Sequence, residues 1–306
     1  VVFDEASQIV PHEAVTAILR GKQVVVAGDS KQLSPTSTSF FSTRAEEEDD
    51  DPAERDDVSE YEVDAVKEAE SLLEAMKASL PRLTGTRTLQ WHYRSEDERL
   101  IAFSNAHPDL YDRKLITLPG AASQEPFRFH LVQGSQADVS GASPNAEVLR
   151  TVELAVDHLR ERPEQSLAVI AFGLKHATRI QKAFEARLDE IGEIALHPKD
   201  RPEEKFRIRN LETIQGDERD VVIIATGYGL TTTGKPSYAF GPINNDENLQ
   251  GLRRLNVAIT RARRSVEVVT TINPDLYDTN RLTRIGSKAF IDYLVSPAAA
   301  EMTLET

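Results

Sequence analysis

Cysteine is absent from the 306 residues. Disulfides, thiolate metal sites and cysteine nucleophiles are thereby excluded, and a reducing cytosol is compatible with the composition. Long hydrophobic runs are also missing. None approaches the ~18–20 residues of a membrane-spanning helix, and stretches such as Val221–Ala225 are of strand length. The seven histidines show no H-E-x-x-H spacing, which disfavours a zinc site. No signal peptide or targeting arm opens the chain. It starts Val1-Val2-Phe3-Asp4, and β-branched and aromatic residues at that point read as a strand already under way. The expectation is a chain that begins inside a domain.

Basic residues are outnumbered, 36 against 50 acids, for a net charge of −14. That total argues against a bulk nucleic-acid binder. The distribution of the charge points the other way. Residues 46–64 hold twelve acids and one base, so −11 sits there and −3 is left for everything else. Such a block repels itself and reads as a solvated, disordered loop, available to a protein partner. Arg253, Arg254, Arg261, Arg263 and Arg264 fall within twelve residues that contain no acid. A locally basic site on a near-neutral body is therefore compatible with the charge.

With 40% hydrophobic and 28% charged residues the chain is that of a soluble globular protein, with room for about two domains. Strand-like runs alternate with helical patterns. The strands are Val24–Ala27, Thr88–Trp91, Phe127–Val132, Leu167–Phe172, Phe206–Arg209, Val221–Thr226 and Val266–Thr271. Several are continuous apolar runs, as expected of parallel strands covered on both faces. Asn145–Arg162 and Leu174–Ile191 place apolar residues three and four apart, a helical spacing. The alternation predicts βαβ units and an α/β fold with a parallel sheet. The boundaries expected are a first domain over 1–45, an acidic loop and connecting helix over 46–82, a second α/β domain over 83–296 and a loose tail over 297–306.

Two strand ends carry polar motifs. Asp4 and Glu5 follow an apolar strand, which puts two carboxylates at the carboxyl edge of a sheet, where such folds bind ligands. In a nucleotide hydrolase the first acid holds magnesium and the second polarises water. Taken alone, the pair reads as a solvated surface pair. Gly28-Asp29-Ser30-Lys31-Gln32 follows the next strand, and a glutamine there can donate to a phosphate or be part of an ordinary turn.

Five segments in order resemble the motifs of superfamily 1 helicases, in the branch of the nonsense-mediated-decay helicase and the large bacterial AAA-type helicase-like proteins. Asp4-Glu5-Ala6-Ser7-Gln8 resembles the Walker B motif and Gly28–Pro35 resembles motif III. Leu89-Gln90-Trp91-His92-Tyr93-Arg94-Ser95 resembles the segment that opens the second RecA-like domain. Gln215-Gly216-Asp217-Glu218-Arg219-Asp220 is similar to motif V, and Leu255–Arg263 to motif VI. The resemblance implies a RecA-like parallel-sheet P-loop NTPase fold, with a truncated first domain and a complete second one. It implies an ATP hydrolase that uses ATP and magnesium, a helicase or translocase moving on single-stranded nucleic acid, DNA in preference to RNA, in the cytoplasm. The rivals are an ATPase that remodels complexes without unwinding and a non-catalytic partner-binding module.

Residue by residue, the resemblance has Asp4 hold magnesium, Glu5 activate water and Gln32 sense the γ-phosphate. Arg94 and Arg261 reach that phosphate from the second domain, where a planar fork suits phosphate oxygens. Gly216, Asp217 and Glu218 belong to the nucleotide side, Glu218 accepting from the ribose. Thr36, Phe172 and Thr213 are the strand contacts, since hydroxyls and amides grip phosphate without positive charge. Trp91 reads as core rather than as a stacking platform. Arg263 reads as a complement to a helix dipole, and Arg264 as solvated. The motif G-x-x-x-x-G-K-[ST] does not occur in the sequence. Truncation upstream of Walker B is the expected reason, with a chain of 306 residues inactive by itself.

Overall fold

The computed structural model describes residues 1–35, 71–79, 87–120, 125–134, 143–191, 195–231, 234–296 and 302–304. The acidic block 46–64 and Thr36 lie outside the described residues. The chain divides into two compact units, Val1–Leu89 and Gln90–Thr306.

The first unit pairs β1 (Val2–Phe3) in parallel with β2 (Val25–Val26). Between them runs α1 (Pro11–Ile18), whose proline opens the helix at a position that needs no amide donor. Helix α2 (Leu72–Ser79) is not a mere connector. Leu72 donates its amide to Ile9 O at 2.7 Å, and Leu72 and Leu73 are buried with Ala6 and Ala14.

In the second unit, β3 (Trp91–His92) pairs in parallel with β4 (Ile116–Thr117), with α3 (Arg99–Ala106) between them. The main sheet is built from β5 (Phe127–Leu131), β6 (Leu167–Ala171), β7 (Arg207–Asn210), β8 (Arg219–Ala225), β9 (Ala262–Thr270) and β10 (Met302–Leu304). Its order is β10-β5-β9-β8-β6-β7, and every neighbouring pair is parallel. Every residue of β6 and of β8 is buried, which is why their sequences are unbroken apolar runs apart from the Arg219-Asp220 start. Helices α4 (Asn145–Glu161) and α5 (Leu174–Ile191) lay Val148, Val152, Val156, Ile180 and Phe184 against Val169, Val221 and Ile223 on one face. The other face takes α7 (Ile285–Leu294), whose Tyr293 ring meets Phe127 and Phe129. Those two pair in register with Val266 and Val268, which alternate with Val269 of the first face. A parallel sheet covered on both sides is the expected α/β, RecA-like architecture.

Several sequence expectations are corrected. Trp91 is 61% exposed, because β3 is two residues long and pairs only with β4. The segment that resembles motif VI is split between α6 (Gln250–Ile259) and β9, which begins at Ala262, ahead of the strand start expected at Val266. The tail read as loose adds a three-residue edge strand, Met302–Leu304 beside Phe129–Leu131.

One buried carboxylate fastens the carboxyl edge of the sheet. Glu147, fully buried in the first turn of α4, accepts from Gly227 N at 2.6 Å and Thr271 N at 2.7 Å. It also accepts from the hydroxyls of Thr226 and Thr271, both at 3.0 Å. His176 Nε2 lies 3.4 Å away. The strand ends of β8 and β9 are thus tied to α4 by neutral donors.

Candidate nucleotide and strand site

In the first unit the two polar motifs leave the same edge. Phe3 pairs in register with Val26, so Asp4-Glu5 and Ala27-Gly28-Asp29 emerge together. Ala6 N donates to Ala27 O at 2.8 Å and holds the two turns in contact. A Cβ on Gly28 would come within 2.9 Å of Ser7 N, so only glycine allows this approach. Glu5 has φ 51°, a left-handed conformation uncommon for a residue with a side chain. Its amide donates to Asp4 Oδ1 at 2.9 Å, and its own carboxylate accepts from Gln8 Nε2 at 3.0 Å. Gln32 Nε2 donates to Asp29 Oδ2 at 3.2 Å, while its Oε1 is buried without a partner among the described residues.

Asp4 is exposed, with one oxygen engaged by an amide. Among the described residues no group of three or more histidines or acids could hold a metal by itself. A lone exposed carboxylate fits magnesium, which takes one or two carboxylates and completes its shell with phosphate oxygens and water.

In the second unit, residues from five separate segments meet at the amino edge of the main sheet. Arg94 Nε lies 2.7 Å from Glu218 Oε2. Glu218 Oε1 lies 3.4 Å from Arg263 Nη1. Arg263 in turn donates from Nε to Asp220 Oδ1 at 3.0 Å, and from Nη2 to Glu204 Oε2 at 2.6 Å and Ser166 Oγ at 3.2 Å. Arg201 closes the cluster, 2.7 Å from Asp220 and 2.8 Å from Glu204. Burial disfavours the charged form of Asp220. Arg201, the Ser166 amide and Arg263 outweigh it and bring the carboxyl down to about 2. Burial likewise works against the charge on Arg263, and Glu204 and Asp220 raise its pKa all the same. Arg263 is therefore a hub of the site and not merely a complement to a helix dipole.

Asp217 is half-buried, 3.5 Å from Arg207 and 3.7 Å from Arg219. Gly216 has φ +83° and open space beside it, so a side chain there is excluded by backbone strain alone. Arg261 does not stand exposed in a cleft. It is 2% exposed at the turn from α6 to β9, with Nε donating to Val257 O at 3.0 Å and Nη2 to Thr260 Oγ1 at 3.3 Å. Its carbonyl accepts from Arg219 N at 3.1 Å, which places it beside the Glu218 segment. Arg264 is half-exposed and meets Glu96 at 3.1 Å.

The expected strand contacts lie elsewhere. Thr213 follows β7 at the carboxyl edge, exposed, its hydroxyl donating to Asn210 Oδ1 at 2.8 Å. Phe172 follows β6 at the same edge but is a core residue, 1% exposed, with Phe290 edge-on at 5.0 Å and its amide donating to Ala225 O. It has neither a ring face nor an amide to offer a nucleic acid. The loop from Leu211 to Glu218 crosses from the carboxyl edge to the amino edge. A buried pair anchors it, Glu212 Oε1 to Arg254 Nε of α6 at 2.6 Å, and burial raises the Glu212 carboxyl despite Arg254.

Together the fold and the polar site define an α/β protein on a parallel sheet, with a cluster of charged residues at the amino edge of its main sheet. Residues 68–273 match the model of an AAA domain, and the chain belongs to that family. A protein of Mycoplasma genitalium described as an uncharacterized ATP-dependent helicase is 32% identical over 312 residues, covering 96% of this chain and 25% of that protein. Its Mycoplasma pneumoniae homolog is 32% identical over 305 residues, with the same coverage. The chain thus spans about a quarter of the length of these relatives. A solved structure, the C-terminal domain of a possible DNA helicase from Lactobacillus plantarum, is 17% identical with a TM-score of 0.35, covering 60% of this chain and 91% of that one. No helix among the described residues is long and apolar enough to cross a membrane.

Proposed function

We propose that the chain is motor machinery of an ATP-dependent helicase or translocase, in which ATP hydrolysis drives movement on a single strand, DNA in preference to RNA. The observation that carries the reading is the meeting of Arg94, Glu218 and Arg263 at one sheet edge, with the backbone of Arg261 beside them. These residues come from three motifs, the first of which lies more than a hundred positions before the other two. Membership of the AAA-domain family and the names of the Mycoplasma relatives support it.

In this reading Asp4 holds magnesium, which neutralises developing phosphate charge. Glu5 takes a proton from the attacking water, and Gln32 contacts the γ-phosphate. Arg94 and Arg261 bring guanidinium forks to the phosphate, Arg261 exchanging the Val257 carbonyl for it. Glu218 accepts from the ribose, and Gly216 and Asp217 shape the backbone beside it. Thr213 and Thr36 contact the strand through their hydroxyls.

The test is ATP turnover by the full chain that carries these residues, stimulated by single-stranded DNA and abolished by Glu5→Gln. Unwinding of a forked duplex separates a helicase from an ATPase that only remodels complexes. The 306-residue chain, whose sequence has no phosphate-binding loop, is expected not to turn over ATP by itself. Magnesium-dependent turnover by that chain, lost in Glu5→Gln, overturns this last expectation.

A further inference from the structure

We infer that Arg263 is a positioning residue that acts through Glu218 to set the orientation of Arg94. The meaning of that orientation for catalysis rests on the ATPase reading above. The geometry itself does not depend on that reading.

Three arginines and three carboxylates share the amino edge: Arg94, Arg201 and Arg263 with Glu204, Glu218 and Asp220. Their charges balance, yet their freedom differs. Arg263 is fixed by Asp220, Glu204 and Ser166 before it ever meets Glu218. Asp220 is 3% exposed and is gripped again by Arg201 and by the Ser166 amide at 2.9 Å. The Arg263 guanidinium is therefore immobile. Its remaining contact, Nη1, faces one oxygen of Glu218.

Arg94 is the opposite case. It follows a two-residue strand, and its neighbour Tyr93 is 87% exposed. Packing does little to choose among its rotamers. Glu218 meets it from the side, at Nε. The terminal amino groups of Arg94 make no hydrogen bond among the described residues. A carboxylate this close to Nε holds the guanidinium by charge and leaves the fork open. An open, oriented fork is what bidentate binding of an anion requires. If the cluster served only to hold the sheet together, Arg201 would matter as much as Arg263. Arg201 touches the same Asp220 and Glu204 and does not touch Glu218.

Two readouts test the relay. The first is the arginine Nε–H spectrum of the 15N-labelled 306-residue chain, with the Arg94 signal assigned by Arg94→Lys. Arg263→Lys is expected to shift or broaden that signal, and Arg201→Gln to leave it in place. The second is steady-state ATP turnover by the full chain. Arg263→Lys is expected to lower kcat by about tenfold to a hundredfold with KM within about twofold, as for a misplaced catalytic group. Arg201→Gln is expected to stay within about twofold in both. Should Arg263→Lys fail to fold, Glu218→Asp retracts the half-exposed carboxylate by one methylene and is expected to reproduce the change in the Arg94 signal with an unchanged melting temperature. An Arg94 signal indifferent to Arg263→Lys and Glu218→Asp, or equal losses from Arg201→Gln and Arg263→Lys, overturns the inference. A wild-type full chain that hydrolyses no ATP removes the functional reading instead, and the Nε–H spectrum of the 306-residue chain still decides the relay.

Discussion

The two edges of the main sheet handle buried carboxylate charge in opposite ways. At the carboxyl edge, Glu147 is surrounded by neutral donors fixed in the backbone and in threonine side chains, with His176 beside them. At the amino edge, Asp220, Glu204 and Glu218 share arginines, and the outermost pair, Arg94 with Glu218, is about one-third exposed on both sides. Backbone amides cannot move away without undoing the strands, so the first arrangement is a fastening. Arginines on long stems can exchange partners, so the second can admit a ligand. The same chemical group thus serves stability at one edge and is available for function at the other.

The largest effect should come from breaking the fastening. Glu147→Ala leaves Gly227 N and Thr271 N buried without their acceptor, while the hydroxyls of Thr271 and Thr226 still have Tyr228 O and Thr270 Oγ1 at 2.8 and 2.9 Å. Unmet donors at such depth cost about 1–3 kcal/mol each before relaxation, so the two amides together put about 2–6 kcal/mol at stake. Denaturant unfolding of the 306-residue chain should record a loss in that range. A loss under about 1 kcal/mol would mean that water replaces the carboxylate, and the contrast between the edges would fail.

Next is Arg261, which belongs to the amino edge by function in our reading and to the interior by burial. Arg261→Ala should lower ATP turnover of the full chain by about 10² or more while binding stays within about an order of magnitude. Arg261→Lys should fail similarly, since a point charge lacks the fork. Arg264→Ala, at the half-exposed pair with Glu96, serves as the control and should change little. The reverse pattern would show that the motif is misplaced by three residues.

A smaller effect tests the amino edge by pH. Asp220 has its carboxyl depressed to about 2 in the folded chain, below its ordinary value of 3.8. A depressed acid stabilises the fold above its unfolded value, and that stability is lost as pH falls through the folded one. The window is therefore about pH 4 down to 2, with about 2 kcal/mol at stake. Acid unfolding of wild type against Asp220→Asn should show the difference: stability of the variant should fall less steeply across that window. Parallel slopes would mean that the arginines do not hold Asp220 charged.

Much of the fold is legible in the sequence because its signals are local. Apolar residues three and four apart give helix α5 its full span, Leu174–Ile191, and give α4 to within a residue. The buried strands β6 and β8 stand out as apolar runs. Helices α1 and α3, each of eight residues, are too short for the period to be visible. The start of β9 is hidden because Arg263 and Arg264 look unlike a strand until their carboxylates are known. Those partners are far away in sequence: Asp220, Glu218, Glu204 and Ser166 lie 43, 45, 59 and 97 positions from Arg263. Motif resemblance names Arg94 and Glu218 separately, but it cannot reveal that they meet. Phe172 misleads because a residue just past a strand reads as edge, and only Phe290 and α7 show that it is covered.

The smallest predicted effect concerns a buried polar group that neither edge serves. Tyr293 lies on α7 within 6.2 Å of the rings of Phe103, Phe127 and Phe129, and its hydroxyl has no partner among the described residues. Burial alone raises its pKa, with no charge nearby to add to the shift. The aromatic ring stabilises the fold by filling space and by its edge-on contact with Phe103. The hydroxyl opposes it, since a buried donor without an acceptor retains its desolvation cost. Tyr293→Phe keeps the ring and removes the one costly atom. The melting temperature should hold steady or rise, by up to about 1 kcal/mol of stability. If Glu147→Ala is severe and Tyr293→Phe is silent, the cost of a buried polar group in this chain is set by the partners it leaves behind. A loss above about 1 kcal/mol for Tyr293→Phe would instead place a water or a hidden acceptor at that hydroxyl.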